Sequence, residues 1–261
     1  MKSSTWFIGI DLGTGSCKSI VVDESAAVRG FGVGAYSGAE ARDRWQEQDP
    51  LDLVKAAAAS VRRAVDQAGL NPEACGGMSI GGALHGVMAV DGRNEPLTGI
   101  ITWADGRAAG QARAVSGTPQ GERLYRETGC PPHGMYPLYK VMWLRENRPE
   151  VFRHARRYVS AKEYVGHRLT GTWQVDYALA AGSGFLRTDT LQWSDSALGL
   201  AGIRREQLSP LAAPTAVLGR LPAEAAAAMG VLAGTPVVAG SSDAVNSSIG
   251  AGAVAAAPAP G

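Results

Sequence analysis

The sequence predicts an α/β protein, a mixed sheet with helices on both faces. Two observations carry that expectation. Residues 6–23 are two apolar, β-branched runs joined by the turn Gly13-Thr14-Gly15-Ser16, which is a hairpin pattern. After a third such run, helix and strand signals alternate along the chain, which favours strands joined by crossover helices.

Taken in order, the third strand is expected over residues 30–36. Asp49 and Pro50 are a cap and a first-turn proline, and the alanine-rich run they open continues to Ala68, where Gly69 stops it. Short strands are expected over 78–83, 87–90 and 99–103. Residues 107–169 read as mostly helical, including 138–146 and 162–169, the latter ended by Gly171. Residues 235–239 form the last buried strand expected, and Gly240-Ser241-Ser242-Asp243 leads from it into a helix. There is no internal repeat. Residues 1–254 are expected to form one domain, and the Ala, Pro and Gly of 255–261 read as a tail or a cut end.

Composition narrows the partners. Lys and Arg number 25 against 24 Asp and Glu, and the formal net charge of +1 points to neither nucleic acid nor an anionic membrane. Cys17, Cys75 and Cys130 are odd in number and in no metal-like pattern, so they read as reduced thiols of a cytoplasmic protein. The start leads into a strand rather than a signal peptide, and no apolar run reaches membrane-spanning length. His85, His133, His154 and His167 lack metal-ligand spacing. Trp103, Trp143, Trp173 and Trp193 read as core packing, with Trp103 alone lying beside a motif.

The hairpin turn is the first candidate site. Gly13, Thr14, Gly15 and Ser16 expose backbone N–H groups and two hydroxyls to an anion, and Asp11 before them is placed to hold Mg²⁺. A Walker loop would need a glycine where Cys17 stands and a helix after Lys18-Ser19, and a strand follows instead. The dinucleotide fingerprint would need its third glycine at Lys18. An ordinary hairpin turn remains the plain alternative. The Asp-x-Gly-Thr hairpin of the actin, Hsp70 and sugar-kinase superfamily fits strand, carboxylate, turn and strand in order, and it calls for a second acidic site far down the chain. Asp243 supplies one, past a strand end and at a helix start, where a lone Asp is otherwise simply a cap. Phosphoryl transfer to an alcohol uses one carboxylate for the metal and another to accept the hydroxyl proton.

Four segments together resemble the FGGY carbohydrate kinases: Asp11-Leu-Gly-Thr-Gly-Ser16, Leu84-His85-Gly86, Ile101-Thr-Trp-Ala-Asp-Gly-Arg107 and Gly240-Ser-Ser-Asp243. The resemblance runs from Trp6 to about Val254. It implies a ribonuclease-H-like fold and transfer of the ATP γ-phosphate to a sugar, polyol or sugar-acid hydroxyl, with ATP and Mg²⁺ as cofactors. It implies that Asp243 is the catalytic base, that Asp11 is tied to Mg²⁺ and activity, and that Thr14, Gly15, Ser16 and Lys18, with Gly13, face the nucleotide phosphates. Leu84 and His85 match a substrate-contacting pair, and Trp103 and Arg107 lie in the adjoining motif. It also implies a C-terminal nucleotide domain of similar size, so the chain is expected to be the N-terminal half of a kinase.

Two subgroups compete for the substrate. Leu84-His85-Gly86 looks like the Met-His-Gly of xylulokinases. The longer segments Thr102-Trp-Ala-Asp-Gly-Arg107, Tyr136-Pro-Leu-Tyr-Lys140 and Ser160-Ala-Lys-Glu-Tyr164 look more like gluconokinases. Gly106 and Pro132-His133-Gly134-Met135-Tyr136 depart from that pattern in expected substrate territory. A sugar acid would want a cation, which Arg107 or Lys140 is placed to supply, a structural ion pair being the alternative. Two other classes stay open. Gly77-Met-Ser79-Ile-Gly81 fits a hydrolase nucleophile elbow but lacks the helix that should follow, and a non-catalytic sugar-binding chain is the second. The oligomeric state is open between a monomer and a homodimer.

Overall fold

The structure is a computed structural model and describes residues 5–36, 40–42 and 44–253. Val254 and the expected tail at 255–261 lie outside the described residues. Strands β1 (Trp6–Leu12), β2 (Ser16–Asp23) and β3 (Val28–Ala35) form a three-stranded meander, followed by the short β4 (Glu40–Arg42) and β5 (Trp45–Gln48). Helix α1 (Pro50–Ala68) begins and ends as the sequence predicts. The Asp49 carboxylate accepts hydrogen bonds from the Leu51 and Asp52 amides, and Gly69 closes the helix at φ 59°.

Then come β6 (Cys75–Gly82), β7 (Met88–Val90), β8 (Ile100–Ile101), α2 (Ala109–Val115), α3 (Pro119–Thr128), α4 (Pro137–Asn147), α5 (Pro149–His154), β9 (Arg157–Val159) and α6 (Ala161–Thr170). The chain continues through β10 (Val175–Asp176), α7 (Tyr177–Ala181), α8 (Asp195–Ala201), β11 (Leu211–Ala212), β12 (Val217–Arg220), α9 (Ala223–Met229), β13 (Pro236–Val238) and α10 (Asp243–Gly250). The helical stretch expected at 107–169 is therefore interrupted by β9. It pairs with β7, while β8 pairs with β5, so the strands expected near 87–90 and 99–103 belong to small side sheets.

The main sheet has the order β12-β13-β6-β1-β2-β3. β1 pairs parallel with β6 and β6 with β13, while β2 runs antiparallel to both of its neighbours. That is the ribonuclease-H-like order. The even positions of β1, Ile8, Ile10 and Leu12, are buried with Met78, Ile80 and Val237 under α1, α6 and α9. The odd positions face the other way, toward α10, and Phe7 remains exposed there.

One packing device is written in the sequence. Gly30, Gly32 and Gly34 alternate along β3, on the face that meets α1. A Cβ on any of them would run into the α1 backbone at Ala64, Ser60 or Ala56, residues four apart on one helix stripe. Small residues on both elements let helix and strand backbones approach closely. A second apolar core, with Leu124, Leu138, Val141, Leu144, Phe185, Trp193 and Leu198, joins α3, α4 and α8 with the segment around Phe185. Among the described residues no helix is long and apolar enough to cross a membrane.

Candidate functional site

Because β1, β6 and β13 are neighbours and parallel, their carboxyl ends meet at one edge of the sheet, where α/β folds bind ligands. Asp11 lies near the end of β1, Leu84 and His85 follow β6, and Asp243 follows β13. Residues 11, 84–85 and 243 are far apart in the chain and come together through strand order alone.

Asp11, Lys18, Ser79, Gly81, Asp243 and Asn246 line a cleft of about 430 Å³ on the open face of the sheet. Asp11 and Lys18 are cross-strand partners in the hairpin. Burial and the nearby Asp243 charge push the Asp11 carboxyl above its usual range, and Lys18 pulls it back. Two carboxylates whose charges repel across a wet cleft suit a hard cation, and Mg²⁺ binds through one or two carboxylates while keeping waters and phosphate oxygens. The donor set therefore fits Mg²⁺ with Asp11 as ligand, directly or through water.

The loop carrying Asp243 is held from several sides. Gly240 has φ 64°, and a Cβ there would collide with the Ile80 carbonyl and lie 2.7 Å from Ser79 Oγ. Lys162, in a buried ion pair with Asp176 at 2.6 Å, also reaches the Ser241 carbonyl at 3.3 Å. Asn246, one turn after Asp243, donates to the same carbonyl at 3.2 Å. Ser242 caps α10 through the Val245 amide, so Asp243 is its first residue, where the helix dipole favours a carboxylate.

The Gly13–Ser16 turn is fixed through its carbonyls. Tyr36 Oη donates to the Gly13 carbonyl, Gln48 Nε2 to the Thr14 carbonyl at 2.6 Å, and Trp103 Nε1 to Thr14 Oγ1 at 3.3 Å. The motif at 101–107 is thereby joined to the hairpin turn. Neither Gly13 nor Gly15 has a positive φ, and a Cβ on Gly15 meets nothing within 4 Å. Nothing in the described residues therefore requires glycine at Gly15, while Gly13 is crowded by the Ser16 carbonyl at 3.0 Å.

His85 sits at φ 65°, an uncommon conformation for a residue with a side chain. Its Nδ1–H donates to the Gly182 carbonyl at 2.6 Å, and its ring stands edge-on to Tyr136 at 5.0 Å. Burial lowers its pKa, which keeps the imidazole neutral and leaves Nε2 as an acceptor for a hydroxyl. Leu84 packs beside it over Gly182. Trp103 is half exposed at 50%.

The two cations expected for a sugar acid are both engaged elsewhere. Arg107 is paired with Asp105 at 2.7 Å and Glu47 at 2.6 Å, its side chain 2% exposed, with Trp45 and Trp143 at 4.1 and 5.0 Å. It is the structural ion pair that the sequence left as the alternative. Lys140 is 0% exposed, and its ammonium donates to the carbonyls of His85 at 2.6 Å and Thr102 at 2.7 Å. It bolts the His85 turn to the loop before Trp103. Burial drives its pKa down to about 7, against the pull of Asp105.

Sequence reasoning passed over Tyr36, Gln48, Lys162 and Asn246. Asn246 carried a readable signal, three residues after Asp243 on the same helix face. The other three reach the site only through tertiary packing.

Residues 6–250 match the model of the FGGY family of carbohydrate kinases, N-terminal domain. A gluconokinase of Bacillus licheniformis is 34% identical over 255 residues, covering 96% of this chain and 48% of that protein. A xylulose kinase of Bacillus subtilis is 29% identical over 247 residues, 95% of this chain and 49% of that one. The crystal structure of gluconate kinase from Lactobacillus acidophilus superposes with a TM-score of 0.91 at 30% identity, over 96% of this chain and 50% of that one. The chain thus spans about half the length of the curated relatives it matches. With a family match over nearly its whole length and the fold of a sugar kinase, the chain belongs to the FGGY family of carbohydrate kinases.

Proposed function

We propose that this chain is the sugar-binding and phosphate-hairpin half of a cytoplasmic, ATP-dependent kinase acting on a sugar or sugar-acid hydroxyl, gluconate being the favoured substrate. One observation carries the reading. Asp11, His85 and Asp243 stand at the carboxyl ends of three adjacent parallel strands, with the hairpin turn beside them. Magnesium-bound ATP would supply the electrophilic γ-phosphoryl group, held by Asp11 and the amides of Gly13–Ser16, with a C-terminal domain completing the nucleotide site.

The chain's own groups then have separable tasks. Asp243 accepts the proton of the attacking hydroxyl, which raises the nucleophilicity of that oxygen as it attacks. His85, with Nδ1–H committed to Gly182, takes a hydrogen bond from a second hydroxyl through Nε2 and so orients the sugar. Lys18, opposite Asp11, is a cation near the transferred charge. Lys140 and Lys162 hold the two loops that carry His85 and Asp243.

The longer segmental likeness to gluconokinases favours a sugar acid. The Leu84-His85-Gly86 segment keeps the ketose kinases as a second reading. A coupled ADP-release assay of the kinase with its C-terminal half, run over gluconate, xylulose and neutral polyols, tests both. Gluconate-dependent ADP release is expected. Turnover of xylulose alone would transfer the assignment to the ketose kinases, and binding without any turnover would leave a sugar-binding protein.

A further inference from the structure

A sugar acid brings a carboxylate that needs a partner, and the structure has used Arg107 and Lys140 elsewhere. A second open pocket, of about 680 Å³, lies between α2 and the loop 132–135 and is lined by Trp103, Gly106, Ala109, Arg113, His133 and Met135 among others. We infer that this pocket is the subsite for the carboxylate end of a linear sugar acid, with Arg113 as its cation and His133 as a second donor. The inference deepens the sugar-acid reading above and rests on it.

Three observations support the assignment. The first is charge. Asp105 also lines the pocket, but its carboxylate is fully buried and neutralised by Arg107. Arg113 makes no hydrogen bond or ion pair among the described residues, so its fork of donors is free for a bidentate carboxylate.

The second is the chemistry of His133. Its Nδ1 accepts a hydrogen bond from the Met135 amide at 3.2 Å, which places the ring proton on Nε2 as a donor. The loop that presents it is seated on the start of α2 through Gly134. A Cβ at Gly134 would lie 2.8 Å from the Ala109 nitrogen, so the two walls of the pocket touch at that residue.

The third is position. His85 stands edge-on to Tyr136 at 5.0 Å, and the Tyr136 amide donates to the His133 carbonyl at 3.2 Å, so His85 adjoins the loop that walls the pocket. Trp103 belongs to the pocket and is bonded to Thr14 of the phosphate turn. A linear sugar acid can therefore lie with its reacting hydroxyl at Asp243, a middle hydroxyl on His85 Nε2 and its carboxylate beyond Trp103. This orientation favours substrates that carry the terminal charge, because only they gain a charge-assisted pair with the exposed Arg113.

The test uses the 261-residue chain and intrinsic tryptophan fluorescence, titrated with gluconate and with glucitol, its uncharged counterpart. Gluconate is expected to bind more tightly than glucitol. Arg113→Gln should weaken gluconate by roughly tenfold or more, as loss of a charge-assisted pair does, while glucitol affinity stays unchanged. Arg113→Lys should recover part of the loss. Circular dichroism confirms the fold of each variant.

Equal gluconate affinity in the parent and in Arg113→Gln overturns the inference and leaves the kinase reading standing. A parent that binds neither ligand, in a kinase that phosphorylates xylulose alone, overturns the sugar-acid reading and this subsite together.

Discussion

Asp243 is the base in the reaction proposed above. In the kinase with its nucleotide half, Asp243→Asn should lower turnover by ~10²–10⁴-fold, the usual contribution of a general base, while the sugar KM changes little. Near-normal turnover would remove Asp243 from the mechanism. The same variant has a readout in this chain without any cofactor. Removing the Asp243 charge should lower the Asp11 pKa, because that charge is one of the two causes holding it up. An NMR titration of the Asp11 carboxyl reads the change, and an unmoved titration would mean the two carboxylates do not sense one another. Lys140 makes a different prediction. Its pKa is lowered to about 7 in the fold, against about 10.4 for a free lysine. Between those values the unfolded chain binds a proton that the folded chain does not, so Lys140 makes stability rise with pH across that window. Below pH 7 both states are protonated and the burial penalty of the charge is fully present. Urea unfolding from pH 6.5 to 9.5 should show the parent gaining on Lys140→Met as pH rises, and a constant difference would refute the shift.

At the scale of elements, the hairpin, α1 and the strand-to-helix passage into α10 follow from local rules. Asp49→Ala should destabilise by about 1 kcal/mol, the typical effect of losing an N-cap, seen as a lower urea midpoint at unchanged slope. Gly32→Ala should be worse, by about 2 kcal/mol or more. Its Cβ would meet the Ser60 carbonyl and lie 2.7 Å from the Ala64 nitrogen, and neither is a flexible side chain that can turn away. A Gly32→Ala midpoint at or above the Asp49→Ala value would show that α1 shifts at little cost. The side sheets were less legible. β7 and β9 are three residues each and β8 is two, too short for a period-2 pattern to speak. Their partners lie far away in sequence, and β9 falls inside a stretch whose composition favours helix.

For the molecule as a whole, the open face of the sheet is the decisive feature. Phe7, Ile20 and Phe31 are exposed there, and α10 exposes Val245 and Ile249. A nucleotide resting on the hairpin would have this floor beneath it and solvent above. We therefore expect the 261-residue chain by itself to bind its sugar weakly and to release little ADP. Phosphoryl transfer depends on positioning and on exclusion of water, which a single face does not provide. A coupled assay of the purified chain measures this. Turnover in the usual kinase range of roughly 1–100 s⁻¹ would mean that these residues already complete the nucleotide site.

What the sequence determined by itself was local. The Asp11 hairpin, the capped α1, the glycines that fit its small-residue stripe and the Asp243 helix start are all interactions among residues near in the chain or repeated at a helix or strand period. Resemblance to the sugar kinases then ordered these pieces. Tertiary structure alone decided which charges are free. Arg107, Lys140 and Arg113 are each a cation near a motif in the sequence, and only Arg107 has a local carboxylate partner, Asp105 two residues before it. Folding buries the first two, and a buried cation must take whatever oxygens surround it. For Arg107 these are the carboxylates of Asp105 and Glu47, and for Lys140 the carbonyls of His85 and Thr102. Arg113 stays at a pocket edge with its charge unspent, because burial depends on the path of the whole chain and not on its neighbours in sequence.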